Sequence, residues 1–315
     1  MAGALGFRVN TTNQNSDRYL SHDEIRKVLK HEISRRVRDD DMNVPMLPHI
    51  ATQVMELSNK PNSTIKEITD LIETDQQISA KVINVANSPV YRGLHEVTNI
   101  NRAVVTLGLR TVSDLIFSFA VQGRIFRNPM FAERMQQLWE HSVGCAFVAS
   151  ELAKHFQKNK NNAFIYGLLH DIGKPLILDT ITTLVKRFPD RIDPSMVQGE
   201  ALEEVLDEFH CAVGGLISRK WDFPERLTSP IVFHHDPIDK DGAVRGNALL
   251  AGVADLFCHR LGVGCEVDAE LELEKHPWCR TIGLDPATTK MLEKQIGGEV
   301  ILYVGSFLEG GGSKP

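Results

Sequence analysis

The chain has 315 residues, of which 42% are hydrophobic and 24% charged, and its formal net charge is −6. This length predicts one large domain or two closely packed ones, and the composition is that of an ordinary globular protein. The acidic balance and the lack of aromatic-basic clusters argue against nucleic acid and anionic membranes as partners.

The N-terminal residues and the cysteines favour a cytoplasmic location. Residues 1–8 lack the long apolar segment of a signal peptide, and no run of about 18 uncharged apolar residues predicts a membrane-spanning helix. The cysteines are odd in number, scattered and without CxxC spacing: Cys145, Cys211, Cys258, Cys265 and Cys279. This pattern is typical of reduced thiols and not of a disulfide framework or a zinc knuckle.

The first part of the chain predicts a set of helices. Residues 1–20 are polar and weakly patterned, so we expect a flexible N-terminus, and residues 21–128 form the predicted N-terminal helical half. The predicted helices cover residues 21–38, 49–57, 64–72, 78–87, 100–107 and 111–121. Two of them begin with capping boxes, Ser21 with Glu24 and Thr64 with Glu67. Asn128-Pro129 is the expected boundary of this half.

The second part of the chain has the same helical character. Residues 129–275 form the predicted metal-binding half, and residues 276–315 a C-terminal helix with a flexible tail. The predicted helices cover residues 131–156, 175–187, 198–221, 224–234, 247–261 and 287–307. No alternating β-branched run predicts a strand, and no internal repeat is visible. The predicted fold class is therefore all-α.

The segment Tyr166-Gly-Leu-Leu-His170-Asp171-Ile-Gly173-Lys174 carries the strongest chemical signal. It sets an imidazole and a carboxylate directly after an apolar stretch, and we expect Gly173 to break the helix there. A buried carboxylate is costly unless it is paired or bound to a cation. Asp171 therefore needs a partner, and a divalent metal ion is a strong candidate.

The second half offers further side chains that could hold such an ion. The candidate ligands are His141, His170, Asp171, His210, His234, His235 and Asp255. Taken singly, His141 could be a core histidine and His210 could bond a backbone carbonyl. The His234-His235 pair could be a solvated helix end, whereas Asp255 on an apolar helix is an expensive lone carboxylate. Taken together, these ligands suit Fe, Mn, Zn or Co without a thiolate, and they could serve two ions bridged by one carboxylate.

The order of these residues resembles the H…HD…D signature of the HD superfamily of metal-dependent phosphohydrolases. The resemblance implies that His141, His170, Asp171 and Asp255 hold one ion, and that His210, His234 and His235 hold a second, with Asp171 bridging. Lys174 stands where HD hydrolases often carry a lysine near the substrate phosphate, which implies a catalytic role for Asp171 and Lys174. A lysine on the helix surface is the alternative. His259, four residues after Asp255, could lie on the same helix face, but a surface position is the expectation.

The first half resembles a narrower group, the HDOD domain, an HD-related output domain of bacterial signalling proteins. The elements that carry this resemblance are Leu47-Pro48, Asp75, Asn84-Val-Ala-Asn87-Ser88 and Ile100 to Gly108. It spans roughly residues 44–255 and implies an HD-like multi-helix fold with an N-terminal helical subdomain packed on it. Asn87-Ser88 could cap a helix end or present polar groups to a ligand, and a simple turn before Pro89 is the alternative.

Two departures from relatives narrow the expected chemistry. After His235 the chain reads Asp236-Pro-Ile-Asp-Lys-Asp-Gly242, without the Gly-Tyr-Pro loop of the HD-GYP cyclic-di-GMP phosphodiesterases. Gln137 stands where trinuclear relatives place a carboxylate, so we expect neither a third ion nor cyclic-dinucleotide cleavage.

Two functions remain open. Many HDOD proteins have lost metal ligands and act as regulatory modules, whereas this chain retains a nearly complete set. The first function is a signal-transduction module with two divalent ions (Fe, Mn or Zn) that binds a signalling protein or a small phosphate-containing ligand. The alternative is an active metal-dependent phosphohydrolase that acts on a phosphoester or nucleotide.

Overall fold

The computed structural model describes residues 19–60, 64–93, 95–156 and 162–309. In chain order the helices are α1 (His22–Arg38), α2 (His49–Asn59), α3 (Ile65–Glu73), α4 (Gln76–Ala86), α5 (Ile100–Leu107), α6 (Leu109–Ile125), α7 (Ala132–Phe156), α8 (Ala163–Leu169), α9 (Gly173–Arg187), α10 (Glu200–Lys220), α11 (Glu225–Phe233), α12 (Gly246–Leu261), α13 (Pro277–Ile282) and α14 (Pro286–Glu309). Within the described residues there is no β-strand, only one isolated bridge. The all-α prediction is confirmed, whereas the predicted flexibility of residues 1–18 and 310–315 lies outside the described residues.

The helix starts follow the local sequence signals. The Ser21 side chain accepts from the backbone N–H of Glu24, whose carboxylate accepts from the backbone N–H of Ser21. Thr64 and Glu67 form the same reciprocal pair at the start of α3. These two predicted capping boxes are confirmed because each satisfies backbone N–H groups that the first turn of a helix leaves free.

The N-terminal helices pack on the second half of the chain. Helix α1 lies against α10, and α14 packs on α7 and reaches back to α4. Aromatic rings fill this junction, among them Phe119 and Phe307 with centroids 5.2 Å apart. One continuous hydrophobic core therefore includes residues from both halves, in agreement with an HD-like fold that carries a packed N-terminal helical subdomain.

Two features of the helices differ from the expectations or qualify them. The short helix α13, with Pro277 as its first residue, was not predicted, since six residues are too few to show an apolar helical period. No single described helix is long and apolar enough to cross a membrane, although α5 and α6 reach that length jointly across a 115° bend. Gly108 makes this bend with φ = 82°, a backbone angle that favours glycine.

The Asn87 side chain ties the end of α4 to the following loop. Its amide donates to the Val97 carbonyl at 2.7 Å and to the Ile83 carbonyl at 3.1 Å, and its oxygen accepts from the Val97 N–H at 2.8 Å. Asn87 thus ends a helix and braces a loop, which is one of the roles expected from its motif.

We expect Asn87→Ala to lower the free energy of unfolding by about 2 kcal/mol, because the buried Val97 amide loses its acceptor. Asn84→Ala is the matched control: Asn84 lies in the same helix but is exposed, so its effect should stay within about 0.5 kcal/mol. Urea-induced unfolding of both variants measures the difference. Equal losses would show that the Asn87 hydrogen bonds carry no special weight.

Candidate metal centre

Five regions of the chain bring the predicted ligands together. Helices α7, α10 and α12 carry His141, His210 and Asp255 within their length, and the other ligands follow the last residues of α8 and α11. Helix α8 packs on α7, α11 and α12, and α10 packs on α11. All the candidate ligands except His235 are buried. The sequence positions are far apart, so only the packing of these helices creates the cluster.

Two glycines permit the close approach of these helices. A Cβ on Gly167 would lie 2.2 Å from the backbone oxygen of Cys145 in α7, and a Cβ on Gly173 would lie 2.1 Å from the backbone oxygen of His210 in α10. The helical run is interrupted in this segment, since α8 ends at Leu169, but Gly173 is the first residue of α9 and not the residue at which a helix ends. It is needed for contact between helices and not for a turn.

Backbone carbonyls orient four of the imidazoles. The Nδ1 atoms lie within hydrogen-bond distance of carbonyl oxygens: His141 of Val263 (3.0 Å), His170 of Gly167 (2.7 Å), His210 of Leu206 (2.9 Å) and His234 of Pro230 (3.1 Å). A carbonyl can only accept, so each Nδ1 carries the proton. In the neutral ring each Nε2 then presents a lone pair, as in histidines that bind a metal ion.

The first group of ligand atoms surrounds the Asp255 carboxylate. Its Oδ1 lies 3.0 Å from His141 Nε2 and 3.7 Å from His170 Nε2. His170 Nε2 is buried and has no hydrogen-bond partner among the described residues. Burial opposes protonation of His141, but the Asp255 carboxylate raises its pKa well above the usual value. This group therefore requires positive charge, from a proton or a metal ion.

The second group consists of three imidazoles. His210 Nε2 lies 3.3 Å from His234 Nε2 and 3.1 Å from His235 Nε2. The lone pairs of His210 and His234 point at each other, an arrangement that is repulsive unless a cation lies between them. Burial disfavours the charged ring of His234, yet the nearby Asp171 carboxylate raises its pKa to about 10. The second group, like the first, therefore requires positive charge from a proton or a metal ion.

Asp171 lies between the two groups and faces both. Its Oδ2 is 3.6 Å from His170 Nε2, whereas its Oδ1 is 3.4 Å from His210 Nε2 and 3.6 Å from His234 Nε2. Oδ1 is buried and has no hydrogen-bond partner in the part of the chain that the structure describes. A buried carboxylate oxygen without a hydrogen bond, beside several imidazole nitrogens, is a donor set that suits divalent Fe, Mn or Zn.

Among the described residues, Lys174 makes the shortest ionic contact with Asp171. Its Nζ lies 2.6 Å from Asp171 Oδ2, and its side chain is only 12% exposed. Burial alone would raise the pKa of Asp171, but the Lys174 ammonium and the neighbouring imidazoles hold it well below the usual value. Lys174 is therefore not a lysine of the helix surface, because its charge is directed into the cluster.

His259 lies beside the cluster although it was not predicted as part of it. His259 was expected at the surface, but it is only partly exposed and its Nε2 lies 3.4 Å from Asp255 Oδ1. The hydrogen bond with Asp255 is the main reason that the pKa of His259 rises to about 10. The i, i+4 spacing of these two residues on α12 was the available signal.

Cysteine thiols also line the cluster. Cys145 Sγ lies 3.5 Å from His141 Nε2, and burial raises the pKa of this thiol well above its usual value. Cys211 Sγ lies 3.3 Å from His210 Nε2. Burial opposes ionisation of Cys211, but hydrogen bonds with His210 and His234 lower its pKa to about 6. Its position directly after His210 was the signal in the sequence.

Comparison with known proteins places the fold. An uncharacterized protein of Treponema pallidum (strain Nichols) is 22% identical over 208 residues, 65% of this chain, and the chain spans only 40% of that relative. A solved HDOD domain protein of unknown function from Geobacter sulfurreducens is 26% identical, with a TM-score of 0.67 and coverage of 91% of this chain and 99% of that chain.

Two further solved structures have the same fold. A candidate metal-dependent phosphohydrolase from Shewanella amazonensis SB2B is 23% identical, with a TM-score of 0.60 and coverage of 88% of this chain and 99% of that chain. A candidate signal-transduction protein from Marinobacter aquaeolei VT8 is 20% identical, with a TM-score of 0.60 and coverage of 94% and 67%. The family model of the HDOD domain matches residues 44–237, more than half of the chain. The chain is therefore a member of the HDOD domain family.

Proposed function

We propose that this HDOD protein is a signal-transduction module whose histidine–aspartate cluster binds two divalent ions bridged by Asp171. The position of the Asp171 carboxylate carries the proposal. One oxygen faces His170, and the other, without a hydrogen bond of its own among the described residues, faces His210 and His234. The Lys174 ammonium compensates the first oxygen, so the second is the buried oxygen that still lacks a partner, which is costly unless a cation lies beside it.

The ligands divide into two sets around this carboxylate. His141, His170 and Asp255 would hold one ion with Asp171, and His210, His234 and His235 would hold the other. When bound, such ions polarise phosphate oxygens and neutralise their charge. The carbonyls that accept from the Nδ1 atoms keep four of the rings in the tautomer that a metal ion requires.

The regulatory role is supported by family membership and by a solved neighbour named as a candidate signal-transduction protein. In this role the partner is a signalling protein or a small phosphate-containing ligand. Occupancy of the ion sites would stabilise the contact between α10 and the helices around it, and α10 is also the helix on which α1 packs. A change at the cluster could therefore reach the N-terminal helices through direct packing.

A metal-dependent phosphohydrolase is the second candidate, favoured by Lys174 and by the accessible side of the cluster. The Lys174 ammonium lies at Asp171, where it could bind a phosphate oxygen. His235 is exposed and His259 is partly exposed, so a phosphoester or nucleotide could reach the cluster from solvent. The solved neighbour from Shewanella amazonensis is itself named as a candidate for this activity.

We expect the purified protein to contain two equivalents of Fe, Mn or Zn, measured by elemental analysis after removal of loosely bound ions. His170→Ala should lose at least one equivalent, and Asp171→Ala should lose both, because Asp171 is shared. His155→Ala is the matched control, since His155 is exposed on α7 away from the cluster, and it should keep the native metal content.

The outcomes separate the possibilities. Native protein that binds no ion after incubation with each metal would contradict the metal-binding proposal. If ions are bound, turnover of phosphomonoesters, nucleotides or cyclic dinucleotides that is lost in Asp171→Ala would favour the phosphohydrolase. Bound ions without turnover of any of these substrates would favour the regulatory module.

A further inference from the structure

The thiol of Cys211 lies inside the second group of ligand atoms. Its Sγ is 3.3 Å from His210 Nε2 and 4.0 Å from His234 Nδ1. One ligand atom from each of Cys211, His210, His234 and His235 lies within 4.8 Å of all the others. The thiol therefore belongs to the same cluster of ligand atoms as the three imidazoles.

These separations are those of ligands that share one ion. Two ligand atoms at about 2.0–2.3 Å from an ion, with tetrahedral or octahedral angles, lie about 2.8–3.8 Å apart. The separations from His210 Nε2 to Cys211 Sγ (3.3 Å), His235 Nε2 (3.1 Å), His234 Nε2 (3.3 Å) and Asp171 Oδ1 (3.4 Å) all fall in this range. His210 thus stands in the same relation to the thiol as to the oxygen and nitrogen ligands.

A second observation points to a cation at this place. Asp171 Oδ1 is fully buried and has no hydrogen-bond partner in the described part of the chain, and it faces the same His210 Nε2. His210 and His234 have already committed their Nδ1 protons to backbone carbonyls, so as neutral rings they bring no proton to the contact between their Nε2 atoms. A cation that accepts electron pairs from nitrogen, oxygen and sulfur together would satisfy all of them.

Other thiols adjoin the first group of ligand atoms. Cys145 clusters with His141, His170 and Asp255, and Cys265 lies beside His141 and His259. Cys145 Sγ lies 3.5 Å from His141 Nε2 and is completely buried in α7, and His141 belongs to the first group. Cys211 is only partly buried and lies on the side of the cluster where His235 is exposed. Cys145 and Cys211 can therefore be tested separately, since each adjoins a different ligand set.

We propose that Cys211 is a thiolate ligand of the ion held by His210, His234 and His235, so that the two ion sites differ in chemistry. The inference rests on the proposed metal-binding function and deepens it. Thiolate is a soft ligand that favours zinc and iron, whereas a site of oxygen and imidazole donors also accommodates manganese. The second site is thus selective for zinc or iron, and the first is the more permissive of the two.

X-ray absorption of the zinc-loaded full-length protein tests the proposal directly. A zinc–sulfur shell at about 2.3 Å is resolved from zinc–nitrogen and zinc–oxygen shells at about 2.0–2.2 Å. We expect this sulfur shell in the native protein and in Cys145→Ser, and its loss in Cys211→Ser. In Cys211→Ser the zinc affinity of the site formed by His210, His234 and His235 should fall roughly tenfold or more relative to the native protein. Substitution of residues that only orient metal ligands already costs about that much.

The outcomes distinguish this inference from the proposed function. Zinc bound without any sulfur shell in the native protein would overturn the role of Cys211 and leave metal binding intact. A sulfur shell that persists in Cys211→Ser and disappears in Cys145→Ser would identify Cys145 as the ligand and overturn the role of Cys211. Native protein that binds no zinc would instead contradict the proposed function itself. Cys279→Ser, in α13, is the control for a thiol outside the cluster and should keep the sulfur shell.

Discussion

Asp171→Ala is expected to destabilise the ion-free protein by about 3–5 kcal/mol, which is the cost of removing one partner of a buried ion pair. Lys174 is only 12% exposed, and its ammonium lies 2.6 Å from the Asp171 carboxylate. Without this carboxylate, the buried ammonium loses its negatively charged partner and lies beside imidazoles that can themselves become positively charged. Urea-induced unfolding in the presence of a chelator measures the loss.

The double variant Asp171→Ala/Lys174→Met is the decisive comparison. Methionine retains the apolar length of the lysine side chain and removes its charge, so the double variant should recover much of the stability that Asp171→Ala loses. If the effects of the two single substitutions simply add, the ion pair contributes nothing beyond its parts. In that case the cost of Asp171→Ala would lie in its contacts with the histidines.

Gly173→Ala is expected to lower the free energy of unfolding by about 3 kcal/mol, at the upper end for overpacking of a core. The new Cβ would lie 2.1 Å from the backbone oxygen of His210, so α9 and α10 must move apart. Because the same movement displaces His210, metal affinity should also fall roughly tenfold. Chemical unfolding and metal titration of the variant measure the two effects.

Gly298→Ala is the matched control for Gly173→Ala. Gly298 lies in α14, and a Cβ built there meets no described atom within 4 Å. Alanine at an exposed position inside a helix should stabilise the protein by about 0.5–1 kcal/mol. A Gly173→Ala variant as stable as the native protein would show that the contact between α9 and α10 is looser than the structure has it.

The helices and the identity of the candidate ligands could be predicted because both depend on local chemistry. The capping boxes at Ser21 and Thr64 predict where their helices begin from only four residues of sequence. Asp171 and Asp255 stand out because a carboxylate within or directly after an apolar helix requires a compensating partner once it is buried. The family resemblance was confirmed because its motifs lie in the segment that the family model matches.

What could not be predicted depends on contacts between distant segments. Gly173 looks like a helix breaker in the sequence, and only the position of α10 shows that its missing Cβ makes room for His210. Cys211 was set aside because cysteine spacing reports on disulfides and zinc knuckles, not on a thiol that packing brings to a histidine cluster. The i, i+4 spacing already places His259 beside Asp255, but only the packing of α12 against α7 and α8 turns Asp255 towards the cluster.

The wide separation of the ligands along the chain has a thermodynamic consequence. His141 and Asp255 are 114 positions apart, and His210 and His234 are 24 apart, so the unfolded chain cannot gather them around one ion. Ions that bind only the native state add their binding free energy to folding, about 2.7 kcal/mol for one site at a free concentration of 100 times Kd. Each ion held by the proposed cluster would therefore raise the free energy of unfolding, and removal of the ions by a chelator would lower it again.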